Sequence, residues 1–316
     1  MIEILVALLL SFGITYILVP GLIPRLKKRG IVGKDVHKKE KPDIPEMGGL
    51  SVIVGLICGI SLIYLFYHDD RILIATLSIL MLSLVGIMDD LIGLKHVQKV
   101  LLACIAGIPI VALKPVQTVI IFPIFGAVDF FSFYWIMVFL GVTAASNATN
   151  MLAGFNGLEA GMGAISAFTL FLCSLLLGSK VASLVSISLF GSLIAFLYYN
   201  KYPSKIFPGD SCTLTIGGTI AIASILGKLE FIGALCLLPA IIDFLMKATI
   251  GFKGKSKYGS STLREDNTIE PSKFPSIIHI PLNMFRLTEK ELVNQLYILQ
   301  IFNGIMTLAI AILFLR

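Results

Sequence analysis

Asp89 and Asp90 stand side by side at the end of an apolar run that begins near Ile72, and Lys95 and Lys99 follow closely. Paired carboxylates at the rim of a membrane span are a way to hold a hard divalent cation together with an anionic substrate. The rim is the affordable place for them. An Asp at mid-bilayer costs roughly +2.5 to +3.5 kcal/mol on insertion scales, whereas water reaches the end of a span. Taken alone, the pair reads equally well as a solvated stop to a helix.

Three more polar clusters bear on that choice. The first runs from Asn147 through Asn150, Gly154, Asn156, Gly157 and Glu159 to Gly161. Asn147 and Asn150 are three apart and share a face if the segment is helical. Asn156-Gly157 is a turn signal, and the flanking glycines let backbone approach a ligand closely. The second is Tyr202–Ser211, whose Pro208-Gly209-Asp210-Ser211 turn delivers one carboxylate to the start of a helix. There Asp210 is either an N-cap or a metal ligand. The third joins the basic stretch Asp35-Val36-His37-Lys38-Lys39 to Ile44-Pro45-Glu46-Met47-Gly48-Gly49, which predicts an ordered lead-in to the next span.

The elements that must carry these residues are membrane helices. Apolar residues make up 57% of the 316, charged residues 14%, and mean hydropathy is +0.93. That composition predicts an all-α polytopic membrane protein, one integral domain over residues 1–316. About ten transmembrane helices are expected: Ile2–Val19, Leu50–Tyr67, Ile72–Met88, Val100–Leu113, Phe130–Ser146, Gly161–Leu177, Val181–Tyr199, Thr213–Leu226, Phe231–Ala248 and Leu292–Leu315. The first has no basic segment ahead of its apolar run, so it is expected to be retained as a helix. The five cysteines lack CxxC spacing and read as packing residues.

Of the 25 lysines and arginines, all but Arg71, Lys114, Lys180, Lys228 and Arg316 fall on one side of this arrangement. The crowded side is then cytoplasmic. Both termini are extracytoplasmic, and every polar cluster above lies in cytoplasmic loops. The same bias accounts for the net charge of +6, so no nucleic-acid partner is invoked. Val116–Phe122 and Ala127–Phe131 predict a small outer β-hairpin. The Gly-, Ser-, Lys- and Pro-rich stretch Gly251–Arg286 predicts a partly ordered loop covering a site.

Taken together, Ile44–Gly49, Met88–Gly93 with Lys99, Asn147–Gly161 and Tyr202–Ser211 resemble the polyprenyl-phosphate N-acetylhexosamine-1-phosphate transferases, the glycosyltransferase 4 type. The Asn-x-x-Asn pattern before Ala153-Gly154-Phe155-Asn156-Gly157 is closest to the dolichyl-phosphate GlcNAc-1-phosphate branch of archaea and eukaryotes. The resemblance implies transfer of GlcNAc-1-phosphate, or a related N-acetylhexosamine-1-phosphate, from a UDP-sugar to a polyprenyl or dolichyl phosphate. The products are UMP and a pyrophosphate-linked lipid sugar, the first step of lipid-linked glycan assembly feeding protein N-glycosylation. It implies Asp89, Asp90 and Lys99 as catalytic residues and Asn150 and Asp210 as ligands of Mg2+, with Mn2+ as a substitute. Asn147, Asn156, Glu46, His279 and Arg286 are implied to bind substrate, Asn156 at the uracil. It also implies a multi-pass cell-membrane protein and a homodimer. Two departures stand out: Gly93 replaces the third acidic or amide residue of the aspartate motif, and Ile278–Arg286 only loosely follows the sugar-reading motif. The competing reading is a polytopic transporter, with Asp243 as its best clue. Lys247 at i+4 favours an intrahelical ion pair instead.

Overall fold

In a bilayer each backbone N–H and C=O must be bonded within its own segment, so apolar runs become helices. The computed structural model describes residues 2–114, 116–251 and 261–315. Its first half comprises α1 (Ile2–Lys28), the strands β1 (Val32–Lys34) and β2 (Asp43–Pro45), α2 (Gly49–Tyr67), α3 (Asp70–Ile92), α4 (His96–Cys104), a 3₁₀ turn (Ile105–Gly107) and α5 (Ile108–Leu113). The strands β3 (Val119–Phe122) and β4 (Gly126–Asp129) lead into α6 (Phe133–Met151). Next come α7 (Leu158–Leu176), α8 (Lys180–Asn200), α9 (Asp210–Gly227), α10 (Glu230–Cys236) and α11 (Leu238–Ala248). The chain ends with β5 (Thr262–Leu263), β6 (Ile269–Glu270), α12 (His279–Met284), α13 (Glu289–Ile310) and a π-helical turn, Ala311–Leu315.

Among the described residues, eight helical segments are long and apolar enough to cross a membrane, counting α4 through α5 as one. A ninth is added if α10 and α11, bent by 72°, form one broken crossing. Pro239 stands in the first turn of α11, where the N–H it lacks would be unbonded in any case. The expected fifth span, now α6, is not among these helices. Ser146, Asn147, Thr149 and Asn150 lower the hydropathy of its last two turns.

Helices attract each other in lipid through close packing and side-chain hydrogen bonds, because lipid tails are as apolar as leucine. α9 shows this best: it lies against α2, α3, α6, α7 and α8. A Cβ on Gly217 would fall on the Ala145 carbonyl oxygen of α6, and one on Gly86 of α3 would lie 2.6 Å from Ser211 Cα. At these close crossings Ser83 and Thr215 share a 2.9 Å hydroxyl hydrogen bond, and Thr149 Oγ1 donates to Thr213 O at 2.8 Å. The first residues of α9 are thereby held against the ends of α3 and α6. That junction positions the site.

Among the described residues, all three strand pairs are antiparallel. β3 and β4 pair from Val119 with Asp129 to Phe122 with Gly126, the predicted hairpin, two to three residues shorter at its outer ends. β1–β2 and β5–β6 were not foreseen. Of the expected covering loop, residues 252–260 lie outside the described residues. The remainder is anchored by a small second core in which Ile269, Ile277, Leu282 and Leu287 pack with Phe155, Leu158, Leu292 and Leu296.

Candidate active site

Asp89 and Asp90 are both inside the last turns of α3, so their side chains diverge by about 100°. Asp90 points at the start of α9. Its Oδ1 accepts from Asp210 N at 2.6 Å and its Oδ2 from Ser211 N at 3.0 Å, meeting two N–H groups that a helix start leaves unbonded. Gly209 takes the cap position with φ +72°, where a Cβ would also sit 2.6 Å from the Asp90 carboxylate. Asp210 is therefore not the cap of its own helix. The cap comes from α3, and the Asp210 carboxylate is left for Lys99 Nζ at 2.5 Å. Lys99 is also ion-paired with Asp89, so one ammonium bridges carboxylates from two helices.

Gly93 is accounted for by the same geometry. It ends α3 in a left-handed turn, φ +66°, with its N–H on Asp89 O at 2.8 Å. The next N–H, that of Leu94, then reaches Asp89 Oδ1 at 2.7 Å. A backbone donor restrains Asp89 beside the position where the motif would carry a third polar side chain.

The lead-in to α2 is joined to the lead-in to α9. Gly48 N donates to Phe207 O at 2.9 Å, Gly49 N to Pro208 O at 2.8 Å and Phe207 N to Pro45 O at 2.7 Å. This places Glu46 beside Asp90. Burial first, and the Asp90 charge second, push the Glu46 carboxyl above the usual range.

Glu46, His96, Asn150, Asn156, Asp210 and His279 all line one cavity of about 1000 Å3, large enough for a nucleotide-sized ligand. Asp89 and Lys99 adjoin it through Asp210. The donor set fits a hard divalent cation: carboxylate oxygens from Asp210 and Asp89, and the amide of Asn150. The buried Nδ2 of Asn150 has no hydrogen-bond partner among the described residues. Amide oxygen and nitrogen are told apart by their neighbours. Reversed, that end of the amide is an oxygen ligand.

A second polar group also lines the cavity, joining Asn156 and the Asp35–Lys39 cluster to Glu289, a residue the sequence reading did not single out. Asn156 Nδ2 donates to Asp35 Oδ2 at 3.0 Å and Asn156 N to Glu289 Oε1 at 2.8 Å. Lys38 Nζ sits 3.3 Å from Asp35 Oδ2 and 2.6 Å from Glu289 Oε2. Asp35, His37 and Glu289 present ligand atoms within 4.8 Å of one another, but Lys38 already supplies a positive charge there. The β1–β2 hairpin presents Asp35 and Lys38, and the start of α13 presents Glu289. The sequence signal was faint, since Glu289 lies far along the chain and Lys38 sits in a run of positive-inside charge.

His279 lines the cavity with Nδ1 2.5 Å from Phe274 O and Nε2 3.0 Å from Ser261 Oγ. Arg286 is not brought in: its side chain is 78% exposed, with the guanidinium 3.9 Å from Asp266. Nor is Asn147, which is buried with its amide on Thr143 O, one turn back in α6. Asp243 does pair with Lys247 at 2.5 Å, as spacing predicts. Its other oxygen accepts from Ser276 Oγ at 2.5 Å and Ile277 N at 2.9 Å, while Lys247 reaches Met151 O at 2.5 Å. The pair ties the loop bearing His279 to the end of the helix bearing Asn150.

The sequence-family model "Glycosyl transferase family 4" matches residues 72–228, from α3 to just beyond α9. A Saccharolobus solfataricus protein, provisionally named a UDP-N-acetylglucosamine–dolichyl-phosphate N-acetylglucosaminephosphotransferase, is 35% identical over 92% of this chain and 91% of its own length. A Bacillus subtilis protein, provisionally named an undecaprenyl-phosphate N-acetylglucosaminyl 1-phosphate transferase, is 27% identical over 95% of this chain and 82% of its own length. The phospho-N-acetylmuramoyl-pentapeptide-transferase of Halalkalibacterium halodurans is 28% identical over 82% of this chain and 87% of its own length. Similarity that extends across nearly the whole chain, and through the helices that bring Asp89, Asn150 and Asp210 together, places this chain in glycosyl transferase family 4.

Proposed function

We propose that the chain transfers N-acetylglucosamine-1-phosphate from its UDP-sugar to a polyprenyl or dolichyl phosphate, releasing UMP and leaving a pyrophosphate-linked lipid sugar. The observation that carries this reading is the Lys99 ammonium shared by Asp89 and Asp210 at the edge of a nucleotide-sized cavity. Attack of a lipid phosphate on the β-phosphorus brings two anions together, so positive charge and in-line positioning are what the reaction needs. Lys99 supplies a point charge to phosphate, and Asp89, held by Leu94 N, orients that ammonium. Asp210 and Asn150 hold Mg2+, or Mn2+ in its place, which neutralises phosphate charge when bound. Asp90 acts by positioning, since it fixes the start of α9. The uracil lies at Asn156, and Glu46 and His279 face the donor from the walls.

A lipid phosphomonoester has a second pKa near ~6 and is largely ionised at neutral pH, so the chemistry does not require a strong base. The lipid tail explains a site at the end of the bundle. In this reading α6 and the bent α10–α11 pair also cross, giving ten crossings, and both termini lie outside. The site then faces the cytoplasm, on the side carrying the excess of lysine and arginine. The test is purified protein with a polyprenyl phosphate and UDP-GlcNAc, with the nucleotide product identified. UMP is expected, and added UMP should drive the exchange of phosphoanhydrides backwards. Release of UDP would mean attack at the anomeric carbon and would reject the mechanism.

A further inference from the structure

Around Asn156 the hydrogen bonds determine which end of the amide a ligand meets. Asn156 and Asp35 are each only 4% exposed, and both line the cavity. An ionised carboxylate only accepts, so the 3.0 Å contact with Asp35 Oδ2 commits the Asn156 amide nitrogen to it. Lys38 restrains Asp35, and Glu289 holds both Lys38 and the Asn156 backbone N–H. Asn156 is therefore fixed at backbone and side chain by two carboxylates sharing one ammonium. Among the described residues nothing donates to Asn156 Oδ1. A ligand placed against that oxygen must bring an N–H or O–H, because a buried acceptor facing another acceptor leaves both unpaired.

We propose that Asp35 sets the choice of nucleobase by holding the Asn156 amide with its oxygen toward the ligand. Uracil presents an N3–H to that oxygen, and cytosine presents a bare N3. With Asp35 removed the amide can turn about and offer an N–H instead, which suits cytosine. Asp35 touches no reacting atom and is a positioning residue, acting through Asn156. The inference rests on the uridine-nucleotide donor proposed above and names what enforces it. His37, stacked on Phe155 with ring centroids 4.5 Å apart, gives the same wall a flat aromatic surface.

The test is the binding of UDP and CDP to the purified protein in lipid nanodiscs, measured by calorimetry with no lipid acceptor present. The wild type should prefer UDP by roughly 10- to 100-fold, the usual consequence of leaving one buried polar group unpaired. D35N should bring the two affinities to within about threefold, since nothing then biases the amide. The double variant D35N/N156D reverses the hydrogen bond yet again presents only an acceptor at position 156, so the preference for UDP should return. A purely structural role for Asp35 would lower both affinities together and would not be rescued. An unchanged UDP-to-CDP ratio in D35N, or a double variant without preference, would overturn the proposal. Should D35N fail to fold in a melting assay, the double variant alone decides. A wild-type protein that binds neither nucleotide would reject the donor assignment itself, a failure distinct from that of Asp35.

Discussion

Asp89 and Asp90 are adjacent in sequence and serve different partners, because a helix turns its neighbours apart. Asp90→Ala should behave as the loss of a helix cap, lowering stability by about 0.5–2 kcal/mol in a melting experiment. Asp210→Asn and Asn150→Ala should instead leave melting nearly unchanged and raise the Mg2+ needed for half-maximal rate, by roughly 10- to 100-fold. A matching loss of stability in those two would show them to be structural. Glu46 yields a pH-dependent prediction. Its carboxyl is held above the usual range by burial and by Asp90, so the folded protein binds that proton more tightly than the unfolded chain. The resulting penalty is absent at low pH, sets in as pH rises through the ordinary carboxylate range, and is complete above the raised folded value. Glu46→Gln should therefore melt higher than wild type at pH 7.5, with the difference fading towards pH 4; an equal difference at both would exclude this cause. The sequence offers the aspartates and Asn150 as candidates for chemistry through their clustering with the other polar loops, since either group alone could simply end a helix. The separate duties of Asp89 and Asp90 were not legible, since they depend on where α9 begins.

At the scale of elements, the helices were legible because lipid demands long apolar runs, and the β3–β4 hairpin because its strands are short β-branched and aromatic runs around Pro123–Gly126. The two other strand pairs are two or three residues long and have no period to detect. The break between α10 and α11 was not foreseen, because the hydropathy runs on through it, although Pro239 within the run is a signal for it. That break matters because α11 carries a clamp. Asp243, Lys247, Ser276, Ile277 and Met151 form one buried knot between helix, loop and the end of α6. Asp243→Asn should leave the Lys247 charge poorly compensated, at a cost of about 3–5 kcal/mol in stability. Asp243→Leu combined with Lys247→Leu should recover much of that loss, because neither charge then remains buried. The recovered protein should still bind UDP-GlcNAc more weakly, since Ser276 and Ile277 no longer hold the loop bearing His279. If the double variant regains stability and its KM for UDP-GlcNAc matches wild type, the clamp has no part in donor binding.

At the scale of the molecule, the candidate site residues gather at the end of the bundle where α3 and α6 finish and α9 starts, and among the described residues the opposite end carries the β3–β4 hairpin and ion pairs such as Lys228–Glu230. The positive-inside rule predicts that the chemical end faces the cytoplasm, because all but five of the 25 lysines and arginines fall in the segments read from the sequence as cytoplasmic, and translocating them is costly. This expected orientation comes from the charge count alone. What the sequence could not supply was a choice of reporters. Ser204, a natural site for a topology probe by its loop position, is buried with its hydroxyl on Ile206 O at 2.8 Å. Glu40, between β1 and β2, is exposed, and Phe125, at the tip of the β3–β4 hairpin, is 78% exposed. In a background without the five native cysteines, Glu40→Cys should react with a membrane-impermeant maleimide in inverted vesicles and stay silent in intact cells. Phe125→Cys should show the reverse, which guards against a silent position being mistaken for a protected one. Labelling of Glu40→Cys from outside the cell would invert the protein and place the Lys99 site on the side where UDP-sugars are not made.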